Sequence, residues 1–332
     1  MQKEINIRED SRELFHSKIL LFGEYSIIFG SMALSIPFGH YSARFSFFNK
    51  KESPADDFSV RSNAMLREYC SWLEITGKKG DLKGLLNTDA FKRDLDKGMF
   101  LESDIPQGYG LGSSGALCAA VYDRYAVEKI DNSPPAGYDE IRQLKKIFSA
   151  MESWFHGTSS GTDPLNCYFR RPLLVEAGGK ISVTDIPRYN GGEGAAIFLL
   201  NTGGPGKTEP MVRLFMDKCK DQRFLDEVNS VMIPAVNGCI GSLMKPDVQL
   251  LMKNLKTLSV FQIENMQAMI PADFMDFWGS GLASGSYYLK LCGSGGGGFL
   301  LGFTRDMEKT SDILNRNKLK PLHVLLNTVR QG

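Results

Sequence analysis

The stretch "SDIPQGYGLGSSGALCAAVYDRY", Ser103 to Tyr125, sets Gly108, Gly110, Gly112 and Gly115 around the pair Ser113-Ser114 at the entrance to a run with helical spacing. Glycine at that density carries a cost in backbone entropy, so the chain path or a ligand there must need positions without side chains. A helix start also presents unpaired N–H groups and the positive end of the helix dipole, which together favour an anion. Gly110, Gly112 and Gly115 satisfy G-x-G-x-x-G, yet a dinucleotide site would follow the first strand of a βαβ unit directly and end the next strand in an acid. Here Pro106 and Gln107 intervene, and Glu128 and Asp131 fall at a helix end. No Lys follows Gly112, so the Walker pattern fails too. What remains is a phosphate-binding glycine loop, or a tight strand-to-helix turn with a Ser cap.

The rest of the chain narrows the class of partner. Lys+Arg of 39 against Asp+Glu of 38 leaves a formal charge of +1, which supports neither nucleic acid nor an anionic membrane surface and points to a small-molecule substrate. Cys70, Cys118, Cys167, Cys219, Cys239 and Cys292 form no CxxC pair, so a zinc site or disulfide framework is not expected and reduced thiols in the cytoplasm are. The segment "MQKEINIRED" is too polar for a signal peptide. No apolar run reaches the roughly 18 residues of a membrane span.

The alternation of strands and helices gives an α/β or α+β outline, with helices segregated from a mainly antiparallel sheet. "KILLFGEYSIIFG" (Lys18 to Gly30) and "YSARFSFF" (Tyr41 to Phe48) read as strands, and "NKKESPADDFSV" as an exposed polar loop. Met65, Leu66, Tyr69, Trp72 and Leu73 recur at helical spacing, as do Leu144, Ile147, Phe148, Met151 and Phe155. "MFLESDIP" reads as a strand ending in a turn, and "RPLLVEAGGKISVTDI" as a hairpin turning at Gly178-Gly179. "PRYNGGEG" marks an inter-domain passage, giving parts 1–190 and 191–332. Beyond it come a strand "AAIFLLNTG", helices from about Glu209 to Met275, two strands flanking the glycines of "YYLKLCGSGGGGFLLGFT", and a last strand "PLHVLLNTV".

Two further segments carry candidate chemistry. In "MESWFHGTSSGTD", Glu152 lies at the edge of an apolar helix face, where a carboxylate needs a cation, a metal or a hydrogen-bonded partner. Carboxylate oxygens suit a Mg²⁺ shared with nucleotide phosphates. Asp163 follows a run of small residues that allows close approach of another group, though a solvated helix acid and a loop or cap residue are the plain alternatives for the two. His156 reads as a helix C-terminal residue. The four consecutive glycines Gly295 to Gly298 are either a flexible turn or a place where backbone passes close to a ligand.

In order along the chain, "SKILLFGEYSIIFG", "IPQGYGLGSSGA" and "CGSGGGGF" resemble the three motifs of the GHMP kinase superfamily, and the likeness covers most of the chain. That resemblance implies an α+β fold of two parts, an N-terminal ribosomal-S5-like part and a C-terminal ferredoxin-like part, with the site in the cleft between them. Within the superfamily the chain is most similar to mevalonate kinases: Lys18 precedes Gly23-Glu24, and Asp163 follows Glu152 by eleven residues through His156, Gly157, Ser160 and Gly161. The resemblance implies Asp163 as catalytic base and Lys18 as its electrostatic partner. It implies Ser114 and Glu152 as Mg²⁺ ligands, and Gly108, Gly110, Leu111, Gly112, Ser113, Ser114 and Gly115 around the ATP phosphates. Glu24, Tyr25, Thr202, Gly295 and Gly296 would lie at the substrate.

The implied activity is ATP-dependent phosphorylation of the 5-hydroxyl of mevalonate, in isoprenoid synthesis, by a cytoplasmic enzyme for which a homodimer is compatible. Tyr25 departs from the His usual in mevalonate kinases and matches the "GEY" frequent in phosphomevalonate kinases, the alternative reading. That alternative needs extra cations for a substrate phosphate, for which Lys207, Arg170 and Arg171 are candidates. A non-catalytic nucleotide sensor on the same fold would lose the base, whereas Lys18, Ser114, Glu152 and Asp163 are all present.

Overall fold

A computed structural model of the chain describes residues 13–48, 57–78, 80–132, 137–187 and 194–324. Two compact units emerge, and each is assembled from separate stretches of chain. The first comprises the described parts of Met1–Lys18, Gly39–Ile105 and Gly112–Arg170; the second comprises those of Ile19–Phe38, Pro106–Leu111 and Arg171–Gly332. The expected passage near Gly191 lies outside the described residues.

Strand β1 (Phe15–Phe22) begins in the first unit and ends in the second, and its neighbour β2 (Ala33–Phe47) also belongs to both. In the first unit the end of β2 pairs antiparallel with β3 (Met99–Ser103), from Ala43 opposite Ser103 to Phe47 opposite Met99. The α-helices of this unit among the described residues are α1 (Asp57–Thr76), α2 (Thr88–Asp96), α3 (Ser113–Tyr125), α4 (Tyr138–His156) and α5 (Thr162–Phe169). On α1, Leu66, Tyr69, Cys70 and Leu73 repeat at three and four residues and are all buried, the stripe of a helix laid on a core. Helix α2 starts at Asn87, whose side chain accepts from the Ala90 N–H at 2.9 Å. At the start of α4 the Gly137 N–H donates to the Glu140 carboxylate at 2.7 Å. Rings of Tyr122, Phe148 and Tyr168 meet edge-on or tilted at 5.2–5.6 Å and fill the space between α3, α4 and α5.

In the second unit Ala33–Ser35 of β2 pairs with β4 (Leu173–Val175), which pairs in turn with β5 (Ile181–Val183). The β4–β5 hairpin turns where expected, with the Gly179 N–H bonded to the Glu176 carbonyl at 2.8 Å and Gly179 at φ 78. A four-stranded antiparallel sheet follows in the order β7-β8-β6-β9, built from β6 (Ala196–Asn201), β7 (Tyr287–Leu291), β8 (Phe299–Thr304) and β9 (Pro321–Val324). Its helices are α6 (Thr208–Lys218), α7 (Gln222–Glu227), α8 (Ile233–Met244), α9 (Val248–Asn265), α10 (Met275–Ser284) and α11 (Met307–Arg316). A π-helical turn, Val228–Met232, joins α7 to α8, and the Ile233 N–H bonds the Val228 carbonyl just before Pro234, which has no N–H to donate. Helices α9 and α10 are tied by the buried Trp278 indole N–H, which donates to Ser259 Oγ at 2.7 Å.

The α+β expectation holds, with three local corrections. "KILLFGEYSIIFG" is not one strand: β1 stops at Phe22, and Ser26–Phe29 forms a 3₁₀ turn. Gly23 at φ 115 and Tyr25 at φ 62 turn the chain out of the sheet. Asp57–Val60 of the expected loop is the first turn of α1, led by Asp57 at the positive end of the helix dipole. Asp163 stands in the first turn of α5, not in a loop. Of the last expected strand, Pro321–Val324 is confirmed, and the remainder lies outside the described residues. No helix among the described residues is long and apolar enough to cross a membrane.

Candidate active site

In the first unit, the starts of α3 and α5 and the middle of α4 are packed so tightly that only glycine fits between them. A Cβ on Gly115, in the first turn of α3, would stand 2.9 Å from the backbone of Asp163 and Pro164 in α5. A Cβ on Gly161, just before α5, would stand 2.2 Å from the Lys145 carbonyl of α4. These two close approaches bring the start of α3 onto the start of α5, and the start of α5 onto the middle of α4. Gly112, at φ 75, places Ser113 as the first residue of α3, and the aliphatic stem of Lys18 lies 3.0 Å from where a Gly112 Cβ would be.

The side chains so gathered are Lys18, Ser114, Glu152 and Asp163. Lys18, itself buried on β1, reaches Asp163 Oδ2 with Nζ at 2.8 Å, while Asp163 keeps 40% of its side chain exposed. One partner is thus fixed in the protein and the other is open to a ligand. Ser114 Oγ donates to Glu152 Oε1 at 2.8 Å and lies 3.2 Å from His156 Nε2. The second carboxylate oxygen of Glu152 accepts from Ser159 Oγ, which also accepts from the Gly161 N–H at 3.0 Å. Burial pushes the Glu152 carboxyl up to about 7, and the negative charge of Asp163 adds to this. The hydrogen bonds from Ser159 and Ser114 and the charge of Lys18 oppose the rise.

This donor set fits a hard divalent cation. Two oxygens bound side by side to an octahedral Mg²⁺ at 2.0–2.1 Å lie about 2.9 Å apart, which Ser114 Oγ and Glu152 Oε1 already match. Among the described residues no group of three or more His, Cys, Asp and Glu could hold a metal. The pair therefore suits an ion that takes its other ligands from water and phosphate, as Mg²⁺ does.

The second unit brings three glycine stretches into backbone contact. The Gly206 N–H donates to the Gly108 carbonyl at 2.9 Å, and the Gly298 N–H to the Gly204 carbonyl at 2.7 Å. Thr202 closes on the same point, its N–H and hydroxyl both bonding the Gly298 carbonyl, at 3.0 and 2.9 Å. Side chains would not fit: a Cβ on Gly297 would stand 2.6 Å from the Pro205 carbonyl, and one on Gly298 3.1 Å from Tyr109 Cα. Leu111 is buried at the end of the first stretch, whereas Gly108 and Gly110 remain exposed. Gly295 is buried against Met269 and Gly296 is exposed. Tyr25 is buried, stacks on Phe215 with ring centroids 4.6 Å apart, and donates its hydroxyl to the Ser294 carbonyl. Glu24, expected at the substrate, is buried as well, and its carboxylate is paired with Lys290 at 2.6 Å.

Lys18, Ser114, Gly115, Glu152 and Asp163 are thus neighbours in the first unit, with Ser113 opening the same helix. Gly108, Thr202 and the late glycine run are neighbours in the second unit, and Tyr25 joins them through Ser294. Sequence reasoning missed Ser159, which orients Glu152, and Lys290. The first carried a signal: a hydroxyl in the small-residue run just beyond α4 is well placed to reach back to a carboxylate one turn inside it. A lone Lys in an apolar strand carried none.

Residues 82–171 match the family GHMP kinases N terminal domain. A mevalonate kinase from Thermococcus sibiricus is 23% identical over 91% of this chain and 91% of its own length. Among solved structures, L. major mevalonate kinase in complex with R-mevalonate superposes with a TM-score of 0.65 at 15% identity, covering 98% of both chains. Streptococcus pneumoniae phosphomevalonate kinase in complex with phosphomevalonate and AMPPNP gives a TM-score of 0.58 at 15% identity, over 94% of this chain and 99% of that one.

Proposed function

From a chain that carries a GHMP kinase N-terminal domain within a GHMP kinase fold, we propose an enzyme that transfers the terminal phosphoryl group of ATP to the 5-hydroxyl of mevalonate. The observation that carries this reading is the Lys18–Asp163 pair at 2.8 Å, beside the Ser114–Glu152 pair at the start of α3. Phosphoryl transfer needs an acceptor hydroxyl held in line, a place for its proton, and positive charge around the migrating group. In this assignment Asp163 receives the hydroxyl proton on a carboxylate oxygen as the new O–P bond forms and the bond to the departing ADP oxygen breaks. Lys18 orients Asp163 and offers its charge to the phosphoryl oxygens. The N–H groups opening α3, with Ser113 and the glycines of the preceding loop, bind the phosphates. Ser114 and Glu152 would hold a Mg²⁺, which offsets phosphate charge when bound.

Phosphomevalonate as acceptor is the second reading, favoured by Tyr25 in "GEY". Against it, two of the three cations that could meet a substrate phosphate are engaged: Arg170 with Glu13, and Arg171 with Asp185 at 2.9 Å. The test is ADP release with Mg-ATP against mevalonate, 5-phosphomevalonate, galactose and homoserine. Turnover of mevalonate with product phosphorylated at O5 is the expected result. Turnover of 5-phosphomevalonate alone replaces this reading with the second. Asp163→Asn should abolish turnover and leave ATP binding within a few-fold of wild type; an active Asp163→Asn enzyme removes Asp163 from the base role.

A further inference from the structure

Glu24 and Lys290 are separated by 266 residues and form a buried ion pair, with side chains 3% and 1% exposed. Neither ion is left half-satisfied, the condition under which burying a charge is tolerated. Lys290 Nζ also donates to the Leu291 carbonyl at 2.5 Å and lies 5.5 Å from the centroid of the Phe22 ring. The Glu24 carboxylate also accepts from the Gly293 N–H. Gln262, itself buried, accepts the Leu291 N–H at 2.9 Å. Beside this pair, Tyr25 is held at φ 62 and ψ −50, an unusual conformation for a residue with a side chain, and its hydroxyl bonds the Ser294 carbonyl. Two consecutive residues of the first motif therefore grip two consecutive residues at the head of the glycine run. That run in turn packs, backbone on backbone, against Tyr109 and against the Gly204–Gly206 stretch bonded to Gly108.

We infer that Glu24, Lys290 and Tyr25 are positioning residues that latch the glycine run Gly293–Gly298 beneath the loop Pro106–Leu111, so that Glu24 acts on nucleotide binding through backbone and not by touching the acceptor. The latch itself is a property of the second unit; its effect on nucleotide rests on the kinase reading above. A carboxylate facing the acceptor would be open to it, whereas the Glu24 side chain is buried and bonded to Lys290 and to the Gly293 N–H. The glycines carry no side chains to fix their own path, so anchoring must come from outside the run.

Glu24→Gln, Lys290→Met and the double variant test this. Each single change leaves a buried charge without its counter-ion, while the double variant removes both charges and keeps the fold accessible. Amide hydrogen exchange of the metal- and nucleotide-free full chain is read first. In each single variant, peptides spanning 292–299 and 106–111 should exchange at least tenfold faster, with β6 and α9 unchanged, and the double variant should recover most of the protection. Exchange in both peptides that is unaltered, or that accelerates equally throughout the unit, overturns the latch. Kinetics are read second. The KM for MgATP should rise at least tenfold in the singles while the acceptor KM stays within twofold. Loosened exchange with an unchanged MgATP constant leaves the latch standing and overturns the assignment of the 106–111 loop to phosphate. A raised acceptor KM with MgATP unaffected, alongside unaltered exchange, returns Glu24 to the acceptor and overturns the inference.

Discussion

Replacing Glu152 by Gln should stabilise the metal-free protein while removing the carboxylate proposed to hold Mg²⁺, and the stabilisation should depend on pH in one direction. The Glu152 carboxyl is pushed up to about 7 in the folded protein against 4.5 in the unfolded chain. Between those values the folded state binds the extra proton, so the carboxyl favours folding at low pH. That contribution is lost as pH rises through 7. At 1.36 kcal/mol per pH unit, the wild type forfeits roughly 3 kcal/mol between pH 4.5 and pH 8 at this position. Gln has no proton to lose, and its amide can use the same two serine hydroxyls, each of which both donates and accepts. For 332 residues unfolding together, about 3 kcal/mol corresponds to roughly 4 °C in Tm. The assay is calorimetric or fluorescence-monitored melting of both proteins from pH 5 to pH 8.5 in chelator-containing buffer. The expected result is near-equal Tm at pH 5 and a gap in favour of the variant that opens toward pH 8. A gap of the same size at both ends would refute the reasoning, since charge burial would then not be its cause. A variant less stable than wild type at pH 8 would mean that the hydrogen bonds from Ser114 and Ser159 to an ionised carboxylate outweigh the cost of burying it.

In the proposed site the same carboxyl would set an acid limb for metal-dependent binding. Mg-nucleotide affinity should fall through pH 7 and approach a tenfold loss per unit below about 6, measured by titration calorimetry; a flat profile to pH 5.5 removes Glu152 from the ion. Lys18→Met should lower kcat by about a hundredfold or more with little change in the melting temperature, by steady-state kinetics, because Lys18 would act on developing charge. Gly115→Ala should destabilise the first unit by about 1–3 kcal/mol in urea titration, since its methyl would stand 2.9 Å from the α5 backbone; a neutral effect there would show that α3 and α5 can separate.

Much of this arrangement was legible because it is local. The burial stripes of α1 and α4, the hairpin at Gly179 and the glycine approach to α3 are each set by residues within a turn or two of one another. The path from Gly23 to Gly30 was not, because an apolar run on both sides of "GEY" has the same composition whether the chain goes straight or turns out of the sheet. The turn is made at Gly23 and Tyr25, and Glu24 between them is tied to Lys290, a partner 266 positions away that no local pattern reports. The α5 start was partly legible: Gly161 in the left-handed region, Asp163 in the first turn and Pro164 next to it are helix-start signals, masked by the surrounding small residues. The Lys18–Asp163 contact was inferred from resemblance. Spacing along a chain cannot place residues 145 positions apart, and the geometry that does so depends on two glycines that no propensity scale singles out.

The interleaved make-up of the two units also governs how the protein can be born. Residues Ala33–Ser35 of β2 pair with Leu173–Val175. A ribosome adding 5–20 residues per second delivers that partner about 7–28 s later. During that interval the β2 edge has its backbone groups unpaired and its apolar face uncovered, the conditions under which nascent chains pair with one another. The second unit cannot finish until the first has been made, because it owns residues both ahead of Gly39 and after Arg170. Added chaperone should therefore raise the yield of folded protein, and slowed translation, which lengthens that interval, should lower it, both more than for a protein whose domains are laid end to end.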